Sequence, residues 1–167
     1  YDDRPFLENC LNDGFLQAKN NKQMKFYLMW ANHDATDVWD KRNAGNDTVV
    51  WSGRITFEQF KKIAKRWLDK YMCLENYYKL DNKPVLSIYD LSNFVNGMGG
   101  LENAQKAMEY MNGLAREKGF DGIHFQLIKY GENMLNLSGV DSEGADIMPE
   151  QAAKLGFSSS THYQYIH

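Results

Sequence analysis

The sequence predicts an α/β fold, part of a TIM-type (β/α)8 barrel made of about four βα units. Three observations carry that expectation. Short apolar segments end in aromatic and polar side chains, helical patterns lie between them, and a parallel sheet this small would leave two long unpaired edges, which proteins avoid. At 167 residues the length fits one domain, read here as a partial barrel spanning 1–167 and truncated at both ends.

Each element has its own signal. Tyr1 to Ala18 reads as a helix with Phe6, Leu7, Cys10, Leu11 and Phe15 as its apolar set. The first strand begins at Lys25 and runs through Phe26-Tyr27-Leu28-Met29-Trp30 into Ala31-Asn32-His33. Asp40 to Gly53 is polar and turn-rich. Thr56 to Gln59 has capping-box spacing, and Phe57, Phe60, Ala64, Trp67, Leu68 and Tyr71 then recur on one helical face. Lys61, Lys62, Lys65, Arg66 and Lys70 fill the other side, which reads as solvated surface.

The second strand, Lys83 to Asp90, is entered through a proline. Gly97-Met98-Gly99-Gly100 leads into a helix over Leu101 to Lys118, with Ala104, Ala107, Met108, Met111 and Ala115 inward and Gly119 as its left-handed cap. Those glycines match neither the dinucleotide nor the P-loop spacing. Gly122 to Ile128 is the third strand, and Gly156 to Tyr163 the fourth, preceded by a short helix from Met148. Helices alternating with strands argue for parallel pairing through right-handed crossovers.

Composition narrows the function classes. With 43% hydrophobic and 25% charged residues the chain is an ordinary globular one. A net charge of -3 and a pI near 5.8 give no basic footprint, so no nucleic-acid partner is expected. No apolar run approaches the ~20 residues of a membrane span. The chain starts at Tyr1 and reads as the interior of something longer. Cys10 and Cys73 are expected to be free thiols buried in helices.

The candidate site lies at the strand tips, where parallel α/β sheets bind ligands. Trp30, Asn32 and His33 come from the first strand, Trp39 and Asp40 from just beyond it, Tyr89 and Asp90 from the second, Gln126 from the third, and His162 and Tyr163 from the fourth. In a barrel all would converge on one mouth. Flat aromatic faces beside amides, carboxylates and imidazoles suit a polyhydroxylated ligand, so a glycan or polysaccharide is the expected partner, together with the remainder of the same barrel. Trp30 has a competing reading as a core cap, and Asn32 as a turn residue. No spacing suits zinc or a calcium loop, no Gly-x-Ser-x-Gly turn is present, and no cofactor is expected. Asp40 and Asp90 are the carboxylates placed near strand ends and are the catalytic candidates; helix capping is the other reading of such an Asp.

Several runs resemble one family. Asp3-Arg4-Pro5-Phe6-Leu7-Glu8, Phe26-Tyr27-Leu28-Met29-Trp30-Ala31-Asn32, Trp39-Asp40, Tyr78 through Tyr89, Gly119 through His124 and Leu155 through Tyr163 are together similar to the glycoside hydrolase family 99-like, or WbsX-like, group. The resemblance covers nearly the whole chain. It implies a (β/α)8 barrel acting on glycans and, by analogy with family 99 proper, retaining α-mannosidase chemistry. The family's catalytic carboxyls lie late in the barrel in a Glu-Trp-x-Glu-Gly type motif, and this sequence contains no Glu-Trp. His33 also departs from the acidic or amide residue expected after Trp-Ala-Asn. The resemblance therefore implies glycan-binding positions here and catalytic acids elsewhere. A non-catalytic carbohydrate-binding protein and a glycosyltransferase of polysaccharide synthesis are the alternatives, and a bacterial periplasmic or cell-surface setting is the leaning expectation.

Overall fold

The computed structural model describes residues 8–37, 42, 48–129 and 148–162. Its centre is a five-stranded mixed sheet. The strands β1 (Leu28–Trp30), β5 (Lys83–Ile88), β6 (His124–Lys129) and β7 (Ser159–His162) are parallel and lie side by side in chain order. β4 (Lys79–Leu80) pairs antiparallel with β5 through a tight hairpin. Asp81 and Asn82 both take positive φ there, 46° and 57°, as a hairpin turn matching strand twist requires. A separate two-stranded ribbon joins β2 (Ala35–Thr36) to β3 (Val49–Trp51).

The helices follow the predicted chemistry with one addition. Thr56 caps α1 (Phe57–Trp67) in a full capping box: its Oγ1 accepts from the Gln59 amide at 3.3 Å while the Gln59 side chain accepts from the Thr56 amide at 2.8 Å. A π-helical turn, Leu68–Met72, continues α1 and buries Leu68, Tyr71 and Met72 together. On the outer side Lys61 and Lys65 pair with Glu58 and Asp69 at 2.8 Å each, as a solvated face should. α3 (Leu101–Glu117) buries Ala104, Ala107, Met108, Met111 and Ala115, with Gly119 left-handed just beyond it. The addition is α2 (Leu91–Met98), in a stretch that reads from sequence only as the approach to a glycine-rich turn. α4 (Met148–Leu155) precedes β7.

The core sits on one face of the sheet. Leu86, Ile88, Phe125 and Leu127 point to the helices and join Phe60, Ile63, Phe94, Met108, Ala152 and Leu155 in a single buried cluster. Strand alternation sends Val85 and Ile128 the other way; both are buried, yet neither belongs to that cluster. Tyr77 ties the start of β1 to β5. Its hydroxyl donates to the Val85 carbonyl at 2.7 Å and accepts from the Leu28 amide at 3.1 Å, and burial pushes its pKa upward.

Two expectations need correcting. Over residues 8–18 the N-terminal segment is a π-helical turn, Cys10–Gly14, followed by a 3-10 turn, Phe15–Gln17, with no buried residue. Gly14 and the polar Asn12 and Asp13 weaken a regular helix there. Cys10 and Cys73 are free, but both are exposed, because one lies on that irregular segment and the other caps the π-helical turn after α1. No helix among the described residues is long and apolar enough to cross a membrane.

Candidate functional site

The tips of β1 and β5 are locked together by one amide. Asn32 is 2% exposed, its Nδ2 donates to the Asp90 carbonyl at 2.6 Å, and its Oδ1 accepts from the Asp90 amide at 2.8 Å. The side chain thus extends the parallel pairing by one rung where β1 has already ended. Asp90 in turn caps α2, its Oδ1 accepting from the Asn93 amide at 2.8 Å. Asn93 closes the circuit by donating from Nδ2 to the Asn32 carbonyl at 3.1 Å.

A second layer docks on this clamp. Gly53 approaches so closely that a Cβ there would lie 2.2 Å from the Asn32 carbonyl oxygen. Its amide donates to Asp34 Oδ1 at 2.6 Å, and Arg54 Nε donates to Asn93 Oδ1 at 3.1 Å. Above the clamp two rings stand at the surface: exposed His33 and half-buried Tyr89 meet edge to face, with centroids 5.4 Å apart. His33 Nδ1 lies 2.9 Å from the Asp34 carbonyl oxygen, which can only accept, so this contact places a proton on Nδ1.

One layer below the tips, on the sheet face away from the helices, Met29, Ser87, Gln126 and Ser159 stand in register. Gln126 Oε1 accepts from Ser87 Oγ at 2.7 Å and from the Tyr27 hydroxyl at 3.4 Å, and His124 Nε2 lies 2.8 Å from Ser159 Oγ. Burial, reinforced by Lys83, holds the His124 imidazole below its ordinary pKa. Imidazole, amide and hydroxyls therefore make one polar network on this face.

The predicted site residues separate accordingly. His33 and Tyr89 stand together at the tips, and Gln126 lies one layer deeper on the same side as Tyr89. Trp30 turns the other way: its ring packs against Phe60, Trp67 and Phe94 at centroid distances of 5.9, 5.6 and 5.9 Å. Strand alternation decides this, since Trp30 is in register with the helix-facing Ile88. His162 is exposed and in register with Lys129, on the face opposite Gln126. Asn32 and the Asp90 main chain hold each other, and Asp90 Oδ1 caps α2. Trp39, Asp40 and Tyr163 lie outside the described residues.

Sequence reasoning passes over Asn93, Arg54, Gly53 and the Ser87–His124–Ser159 network. Asp90 at the end of a strand is a readable N-cap signal, but its partner is the Asn93 backbone amide, so nothing local marks the Asn93 side chain; Arg54 and Gly53 give no signal either, because their partners are distant in the chain. Among the described residues no group of three or more His, Cys, Asp or Glu side chains is arranged to hold a metal ion.

The sequence model of the family described as Glycosyltransferase WbsX matches residues 1–165. The chain belongs to the WbsX family. No curated protein and no solved structure matches it. Membership points to a carbohydrate-active enzyme acting on glycans, and this chain has ring and amide groups at its strand tips.

Proposed function

We propose that this chain is the glycan-binding part of a carbohydrate-active (β/α)8 barrel enzyme that hydrolyses a polysaccharide or glycan. The observation that carries the reading is the pairing of exposed His33 with half-buried Tyr89 beside the Asn32–Asp90 clamp at the carboxyl ends of parallel strands. The strand order supports the barrel: neighbours follow chain order with helices on one face, whereas a doubly wound sheet reverses order and carries helices on both. His33 and Tyr89 bound the sugar, with Gln126 and its network forming the floor beneath them. Trp30 and Asn32 act as framework, and His162 faces away.

Retaining hydrolysis needs two carboxyls ~5 Å apart. Asp90 has one oxygen committed to capping α2, so in this reading it positions the mouth and the catalytic pair comes from elsewhere in the protein, with Asp40 a remaining candidate. Glycosyl transfer is the second reading, favoured by the description that the family carries. Incubating the intact protein with end-labelled α-mannan oligosaccharides, with and without activated sugar donors, separates the readings. Shortened products support hydrolysis, donor-dependent lengthening supports transfer, and tight binding with neither product indicates the non-catalytic alternative.

A further inference from the structure

Arg54 sits between two buried residues, each pressed against a different element. Gly53 lies against the main chain of Asn32 and His33, and the Ile55 carbonyl oxygen is 2.5 Å from where a Cβ on Gly97 of α2 would stand. Direct contact thus wedges the run 53–55 between the tip of β1 and α2. Arg54 itself is exposed, yet it is held at two points: its amide donates to Ser52 Oγ at 3.1 Å, and its Nε donates to Asn93 Oδ1 at 3.1 Å. Asn93, 8% exposed, is fixed in turn by its bond to the Asn32 carbonyl. Asn32, Asp90 and Asn93 already close a circuit among themselves, and completing Asn93 Oδ1 takes only one of the arginine's nitrogens.

The rest of the guanidinium is what a ligand would meet. Its two terminal nitrogens have no hydrogen-bond acceptor among the described residues, and no carboxylate there pairs with it. Asp34 and Asp90 stand on the same strand tips, but Asp34 Oδ1 accepts from the Gly53 amide and Asp90 Oδ1 from the Asn93 amide. Anchoring through Nε costs the side chain rotamer freedom at the moment of folding, so a ligand finds the terminal fork already oriented. A planar charged fork of this kind matches the paired oxygens of a carboxylate or a phosphate. Two neutral hydroxyls would use its donors and leave its charge unanswered.

Resting on the glycan-active reading above, we infer that Arg54, held by Asn93, is an oxyanion-binding residue at the strand tips, and that the glycan it selects carries an acidic group, a sugar carboxylate or a phosphate. The test places the intact protein on a glycan array in which uronate-bearing, phosphate-bearing and neutral oligosaccharides of matched backbone stand side by side. Calorimetry then compares the best acidic ligand with its carboxyl-reduced or dephosphorylated counterpart. The acidic form is expected to bind roughly tenfold tighter, with an advantage that shrinks as salt is raised. Arg54→Gln should abolish that advantage, and Arg54→Lys, which keeps the charge and loses the fork, should retain part of it. Thermal unfolding checks that both variants are folded; if Arg54→Gln is not, Arg54→Lys and the parent's ratio of acidic to neutral affinity still decide. A preference confined to uronates assigns a carboxylate and one confined to phosphates assigns a phosphate, and either supports the inference. Equal binding of acidic and neutral forms, or an acidic preference that survives Arg54→Gln intact, overturns it while the glycan-active reading stands. If the parent binds no glycan on the array, the glycan-active reading itself falls and the acidic specificity falls with it.

Discussion

The two faces of the parallel sheet are built from the same strands and have opposite chemistry. Toward the helices, Leu28, Leu86 and Phe125 form one row and Trp30, Ile88 and Leu127 the next, all apolar and closed by α1, α2 and α3. On the other side Met29, Ser87, Gln126 and Ser159 form a row whose hydrogen bonds run across strands. The first face holds the fold through non-directional burial and tolerates apolar exchange. The second depends on directional bonds whose partners must be correct in kind as well as size.

The largest effect expected from breaking this contrast lies on the helix face. Phe60→Ala, at a fully buried ring in contact with Trp30 and Phe94, should cost about 3–5 kcal/mol in chemical denaturation. Trp30→Ala should destabilise somewhat less, about 2–3 kcal/mol, because that ring is only half-buried. Trp30→Phe should recover most of the loss. A Trp30→Ala protein with native stability and lost glycan affinity would return this residue to the ligand.

Next comes the clamp. Asn32→Ala leaves the Asp90 amide and carbonyl without their partners and should cost about 2 kcal/mol, with hydrogen exchange at the Asp90 amide accelerating first. Gly53→Ala forces a Cβ into the Asn32 carbonyl and should destabilise by about 1–3 kcal/mol while disturbing the ribbon. Unchanged melting for either variant would mean that the tips are held by something other than this amide.

The polar face should respond to pH. Burial keeps the folded-state pKa of His124 below the ordinary 6.5, so the unfolded chain takes up the proton first as pH falls. Its contribution is therefore complete above about 6.5 and is lost as pH drops through the lower folded value. His124→Gln should flatten the stability profile in that window, and a profile indifferent to the substitution would refute the assignment. The smallest stability effects are expected at the mouth: exposed His33→Ala should cost within about 0.5 kcal/mol, and half-buried Tyr89→Ala about 1 kcal/mol. Both should weaken glycan binding in the intact protein, and normal titration curves for both would remove the ring pair from the site.

The strands and most helices are legible in the sequence because their signals are local. The capping box at Thr56 and Gln59, the alanine and methionine face of α3 and the Lys83 to Ile88 strand are each written within a few residues. α2 escapes because Asn96, Gly97 and Gly99 in and beyond it read as a turn, while its stability comes from the Asp90 cap and from burying Phe94 and Val95. Over residues 8–18 the N-terminal helix is overread because Gly14 and the polar Asn12 and Asp13 break its regularity, although Leu11 and Leu16 still pack against the core.

By itself the sequence determined the alternation of strands and helices, the faces that α1 and α3 bury, the net negative charge and the aromatic and amide character of the strand tips. It named Trp30, Asn32 and Asp90 as neighbours at one end of a sheet. Tertiary structure alone decided their roles. A strand's alternation fixes two faces without saying which will meet the helices, so only packing could turn the Trp30 ring against the core. Only the meeting of Asn32 with an Asp90 main chain 58 residues away shows this amide, expected from sequence to face a sugar, as a clamp. Pairwise contacts between distant segments carry that information, and no local pattern encodes them.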